Sequence, residues 1–146
     1  MMRVRNGLAA VVVMAALPAL AHDHATGVVK ERMEMMEAMA KHMKSIRTRI
    51  EGKRELGAIK AEADAIASHA AHTVHLFPPG STQRPTDAKG AIWRNWADFE
   101  RKAAALEAES KKLAGVSPDD LAALNTQFRA VSQTCGACHE TYRTKR

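Results

Sequence analysis

The chain has 146 residues, 22 Lys and Arg against 16 Asp and Glu, a formal charge of +6 and only 4% aromatic residues. That length suits one domain with a real core. The mild basicity lacks the basic–aromatic interleaving of nucleic-acid binders, so no nucleic-acid partner is expected, whereas an acidic protein partner would be steered toward it.

Residues 1–21 predict a cleaved secretory signal. Arg3 and Arg5 form a positive start, Leu8 to Leu20 is an apolar run too short to span a bilayer comfortably, and Ala19-Leu20-Ala21 offers small residues for cleavage. The remainder, residues 22–146, is expected to be one exported domain of charge about +4, with no membrane span. Its new terminus would read His22-Asp23-His24. An α-amine, two backbone amides and the His24 imidazole have the donors for a square-planar Cu(II) or Ni(II). In the cell this terminus is expected to be a polar tail.

Four stripes of apolar residues then repeat at steps of three and four. The first uses positions 29, 32, 36, 39, 43, 46 and 50, apolar except at Arg32, and stops at Gly52. The second runs from Leu56 to Phe77, where Phe77-Pro78-Pro79-Gly80 ends it. The third runs from Ile92 to Leu113, with Thr86 or Asp87 as candidate caps. The fourth runs from Leu121 to Cys138, and Ser117-Pro118-Asp119-Asp120 supplies a hydroxyl cap, a proline and two acids at its start. No window alternates with period two. The expectation is an all-α, antiparallel up-down-up-down four-helix bundle, with helices of about 20 to 26 residues and one longer connection near 77–90.

The fourth stripe carries the chemistry. It ends in T-C-G-A-C-H-E-T-Y-R, and Cys135 and Cys138 are the chain's only cysteines. A zinc site lacks a second ligand pair at a suitable spacing. A redox dithiol would need a βαβ setting and a helix start, and a disulfide across two helical residues would be strained. C-x-x-C-H instead predicts one covalently attached haem c, with thioethers at Cys135 and Cys138 and His139 as proximal iron ligand. Such attachment takes place outside the bacterial inner membrane, which agrees with the signal segment and predicts a periplasmic protein.

A haem motif on the last helix of a four-helix bundle resembles the class II c-type cytochromes, a group holding cytochrome c-prime and its low-spin, methionine-ligated relatives. R-M-E-M-M-E-A-M-A-K-H-M at 32–43, L-F-P-P-G at 76–80 and I-W at 92–93 extend the likeness over the mature chain. The resemblance implies haem held between the helices at one end. It also puts the distal position of the first helix at Met36, on the core stripe and near the height of His139, with Met33 and Met39 the alternatives. It further implies that Arg32 approaches a haem propionate, since a buried guanidinium calls for an anionic partner.

Arg143 and Arg129 are expected to add positive potential near the haem, and Tyr142 to pack beside His139. His69, His72 and His75, at the end of the second helix, are expected to be partly exposed residues at a helix C-terminus rather than ligands. The leading functional expectation is a monohaem one-electron carrier, not an enzyme. It would be a monomer or homodimer passing electrons to a periplasmic redox protein with an acidic surface. The alternative is a five-coordinate, c-prime-like protein that binds nitric oxide or carbon monoxide.

Overall fold

In the computed structural model, which describes residues 25–145, the first stripe becomes α1, Gly27–Gly52. Its end differs in detail from the glycine stop read in the sequence. Gly52 is the last helical residue, and Lys53 takes the left-handed conformation at φ 49°, ψ 42°. The N–H groups of Lys53 and Arg54 then reach back 3.2 Å to the Ile50 and Arg49 carbonyls. This closes the helix as a Schellman motif, with lysine where glycine is usual.

The second stripe is α-helical only over its middle. A 3-10 turn, Leu56–Ala58, leads into α2, Ile59–His72, and a second 3-10 turn, Thr73–Leu76, carries the chain to the two prolines. Gly80 takes φ +78° in the turn that follows.

The third expected helix is broken in two. α3, Ala91–Arg94, is followed by Asn95 at φ −124°, ψ 45°, and only then by α4, Trp96–Ala114. Tertiary contacts override the continuous stripe here. Trp93 donates its indole N–H to the Phe77 carbonyl at 3.0 Å and the Pro78 carbonyl at 3.1 Å, and Ile92 is buried. These tie α3 to the crossover, while Asn95 restarts the chain as α4. Thr86 caps no helix; its hydroxyl accepts from Ala88 N–H within the crossover.

α5 is Leu121–Tyr142. Its cap is Asp120, which accepts from Ala123 N–H at 2.8 Å. Ser117 and Pro118, expected as cap and first helical residue, form the preceding turn instead, with Ser117 Oγ accepting from Asp119 N–H.

Side-chain contacts fix the helix directions. Arg32 near the start of α1 bonds Leu76 after α2. Phe77 meets Phe99 near the start of α4 at 4.8 Å between ring centres. Tyr142 at the end of α5 donates to Asp98 of α4 at 2.6 Å. Each helix is therefore antiparallel to the next, and the start of α1, the end of α2, the start of α4 and the end of α5 share one end of the bundle. Ile46, Ile50, Ile59, Ile66, Leu113, Leu124 and Val131 form the sealed core, which extends to that end through Phe77, Ile92, Phe99 and Tyr142. Among the described residues there is no strand, and no helix is long and apolar enough to cross a membrane. The signal segment and His22-Asp23-His24 lie outside the described residues.

Candidate haem site

One turn separates Cys135 from Cys138 on α5, and His139 follows, three residues before the helix ends. Both thiols are free and half-buried. Burial pushes each thiol above its ordinary pKa; at Cys138 the charge of Lys102 opposes this, and Cys135 and Asp98 reinforce it. Neutral, shielded thiols lack the lowered pKa of a redox dithiol. Cys138 packs on the edge of the core cluster rather than within it.

His139 borders a shallow outer groove with Gly136, Glu140, Arg143, Thr144 and Lys145. Partial desolvation, and then the charge of Arg143, hold its imidazole below the usual histidine pKa. That favours the neutral ring, the form that ligates a metal. Arg129, by contrast, sits on the exposed face ten residues earlier, about 15 Å along the helix. Only Arg143 of the two expected arginines acts on this histidine.

Tyr142 is engaged by α4. Its ring is buried edge-on to Phe99 at 5.5 Å, and its hydroxyl bonds Asp98 of α4. Burial and the Asp98 carboxylate push its pKa up to about 12. Tyr142 thereby anchors the end of the motif-bearing helix. Beyond it, Lys89 N–H bonds the Tyr142 carbonyl at 2.9 Å and Thr144 N–H bonds the Asp87 carbonyl at 2.8 Å, so the crossover grips the same helix end.

On α1 the methionines divide into three sets. Met35 and Met39 are buried in the core cluster, Met36 and Met43 are partly buried and pack on its edge, as Phe128 and Cys138 of α5 do, and Met33 is partly buried outside the cluster. The core stripe read through Met36 is thus corrected: Met35 fills the core position, and Met36 packs against the core at its rim. Arg47 of α1 lies 5.9 Å from the Phe128 ring centre, which sets the register of α1 against α5. Met36 is eleven residues before Arg47, and His139 is eleven after Phe128. At 1.5 Å per residue both lie about 16 Å from that contact, toward the same end of the bundle. Met36 and His139 are therefore level along the axis. α1 touches α5 much more sparsely than α4 does.

The donor set fits a covalently attached haem. Two free thiols one turn apart, an adjacent imidazole and a rim thioether at matching height are all half-buried or exposed, and so could hold such a group.

Within the chain, Arg32 is satisfied by neutral oxygens. Nε and Nη2 donate to the Leu76 carbonyl at 3.0 and 2.9 Å, and Nη2 also donates to Ser81 Oγ at 2.6 Å. Nη1 donates to the Ser81 carbonyl and Thr86 Oγ1, both at 3.2 Å. All five N–H groups thus meet neutral oxygens, and the guanidinium lies 4.0 Å above the Phe77 ring. Burial lowers its pKa to about 10, which leaves it charged at neutral pH. The sequence showed a buried cation, but not that a crossover 44 to 54 residues away would fold around it.

A family model described as Cytochrome C' matches residues 27–143. The chain is 34% identical over 122 residues to cytochrome c-556 of Agrobacterium tumefaciens strain II Chrys, covering 82% of this chain and 99% of that one. Its fold is similar to cytochrome c' from Rhodopseudomonas palustris, with a TM-score of 0.76 and 27% identity, covering 84% and 99% of the two chains. It is likewise similar to the nitric oxide complex of a leucine-to-alanine mutant of cytochrome c prime from Alcaligenes xylosoxidans, with a TM-score of 0.72, 30% identity and coverage of 82% and 94%. A C-x-x-C-H motif on the last helix of an antiparallel bundle, and a family match over nearly all of the described residues, lead to one conclusion: the chain belongs to the cytochrome c' family of class II c-type cytochromes, with a single covalently attached haem c.

Proposed function

We propose that this cytochrome is a periplasmic one-electron carrier, with haem c attached through Cys135 and Cys138 and its iron held between His139 and Met36. The observation that carries the reading is the register of α1 on α5, with the Met36 thioether on the core rim level with His139. A thioether sealed in the core, as at Met35 or Met39, has already spent its surface on packing. Bound haem c supplies a single-electron couple, and histidine–methionine ligation raises its potential.

The protein's part is to keep both ligands fixed while the charge changes. Tyr142 bonded to Asp98 holds the His139 end of α5. Arg32, one turn before Met36, locks the start of α1 to the crossover. Burial, and then the charge of Arg143, lower the His139 pKa and so favour the neutral ring that ligates a metal. Arg143 and Lys145, flanking the outer groove at His139, suit the acidic surface of a redox partner.

The family comprises carriers and gas binders rather than typical enzymes, and a relative solved with nitric oxide supports a second reading. In that reading Met36 leaves the iron open and the protein binds nitric oxide or carbon monoxide. Visible spectra of both oxidation states separate the two. The carrier should be low-spin and unreactive to carbon monoxide, and Met36→Ala should make it high-spin and reactive. An unchanged ferric methionine-to-iron charge-transfer band in Met36→Ala would show that another residue is the ligand, and a high-spin spectrum in the unaltered protein would favour gas binding.

A further inference from the structure

The sequence spaces His69, His72 and His75 evenly, but the fold does not treat them evenly. His69 lies in the α-helical part of α2 and turns toward α1, where its ring centre is 6.1 Å from that of His42. His72 ends α2, and His75 follows within the 3-10 turn Thr73–Leu76. Three residues complete one turn of a 3-10 helix, so side chains three apart eclipse. The rings of His72 and His75 are accordingly paired, 5.4 Å between centres and inclined by 46°.

From this geometry we propose that His72 and His75 form a two-imidazole chelate for a tetrahedral divalent ion of the zinc class, separate from the haem. A zinc–nitrogen bond of about 2.0–2.1 Å places the ion about 3.2 Å from each ring centre, so tetrahedral ligation separates two ring centres by about 5.2 Å. The observed pair meets that spacing with little adjustment. The His42–His69 pair would need a much wider angle, and His42 Nδ1 is already bonded to Glu62. A square-planar ion, with ligands at right angles, would want the centres closer, at about 4.5 Å.

Two further features favour a cation here. Both rings are exposed, and they stand at the C-terminal end of α2, where the helix dipole is negative. The turn itself is fixed, because the Leu76 carbonyl accepts two bonds from Arg32. Among the described residues no group of three or more His, Cys, Asp or Glu side chains is arranged to hold a metal. The chelate is therefore bidentate, with water completing the shell.

The test is calorimetric titration of the holoprotein with zinc chloride in a non-coordinating buffer. It uses the unaltered chain and four variants: His72→Ala, His75→Ala, His69→Ala and His24→Ala. One zinc should bind the unaltered protein, His69→Ala and His24→Ala alike. His72→Ala and His75→Ala should each weaken binding by at least about tenfold, with visible spectra unchanged as evidence of intact fold and haem. The proposal is overturned if the unaltered protein binds no zinc, if both helix-end variants bind as tightly as it does, or if His69→Ala or His24→Ala loses the ion equally. None of these outcomes depends on the identity of the sixth iron ligand.

Discussion

Replacing Arg32 with methionine tests whether this buried cation is a structural clamp. The substitution keeps much of the aliphatic length and removes all five N–H donors. It leaves the Leu76 carbonyl, the Ser81 carbonyl and Ser81 Oγ in an interior where Ser81 and Leu76 are 5% and 6% exposed. An orphaned buried acceptor costs about 1–3 kcal/mol, and the stacking of the guanidinium on Phe77 adds about 0.5–2 kcal/mol. Relief from burying a charge offsets part of this, so the net loss should be about 3–5 kcal/mol. Arg32→Lys keeps the charge but has three donors and no planar fork, and should lose roughly half as much.

Urea unfolding of the holoprotein, followed by far-ultraviolet circular dichroism, gives the midpoint shift at constant slope. The crossover that Arg32 grips also pairs with the end of α5 through Lys89 and Asp87. Protease cleavage between residues 80 and 90 should therefore rise in the methionine variant before global unfolding does. A stability within about 1 kcal/mol of the unaltered protein, with no gain in cleavage, would refute the clamp.

Other substitutions probe separate parts of the molecule. Cys135→Ala with Cys138→Ala should release haem to acid-acetone extraction, while the unaltered protein retains it. Met39→Ala should leave the ferric methionine-to-iron charge-transfer band present and cost about 2–5 kcal/mol by urea unfolding, as for a buried methionine. Lys53→Gly should raise stability by about 0.5–1 kcal/mol in the same assay, since φ 49° suits glycine. Because the folded-state pKa of Tyr142 is raised to about 12, the unfolded chain ionises first, and stability should fall as pH rises from about 10 to 12. Tyr142→Phe should remove that slope in alkaline unfolding measurements.

Periodicity read along the chain located the bundle because Ile46, Ile50, Ile59, Ile66, Leu124 and Val131 repeat at helical spacing and are buried where they fall. It went astray where distant backbone decides the local state. Asn95 breaks a stripe that looks continuous, because Trp93 bonds carbonyls sixteen and fifteen residues earlier. Asp120 rather than Ser117 caps α5, because both are good caps and only the chain's approach from the α4–α5 turn selects between them. The C-x-x-C-H motif was legible because its chemistry is local. The partners of Arg32 were not, since Ser81 and Thr86 lie on a crossover that no periodicity describes and Leu76 contributes only its backbone carbonyl.

Met35 and Met36 carry the same lesson to the site. A stripe reports which side of a helix is apolar, and adjacent methionines on that side are equivalent to it. They are not equivalent in a bundle whose neighbours sit unequally around α1, which packs closely on α2 and sparsely on α5. The position turned toward the tight neighbour is sealed, and the position turned toward the open seam is only half-covered. The proposed iron ligand is of the second kind, whose sulfur keeps a free direction for a bond. Burial, usually read as a sign of importance, thus argues against Met35 and Met39 as ligands. The partial exposure of Met36, at the height of His139, argues for it.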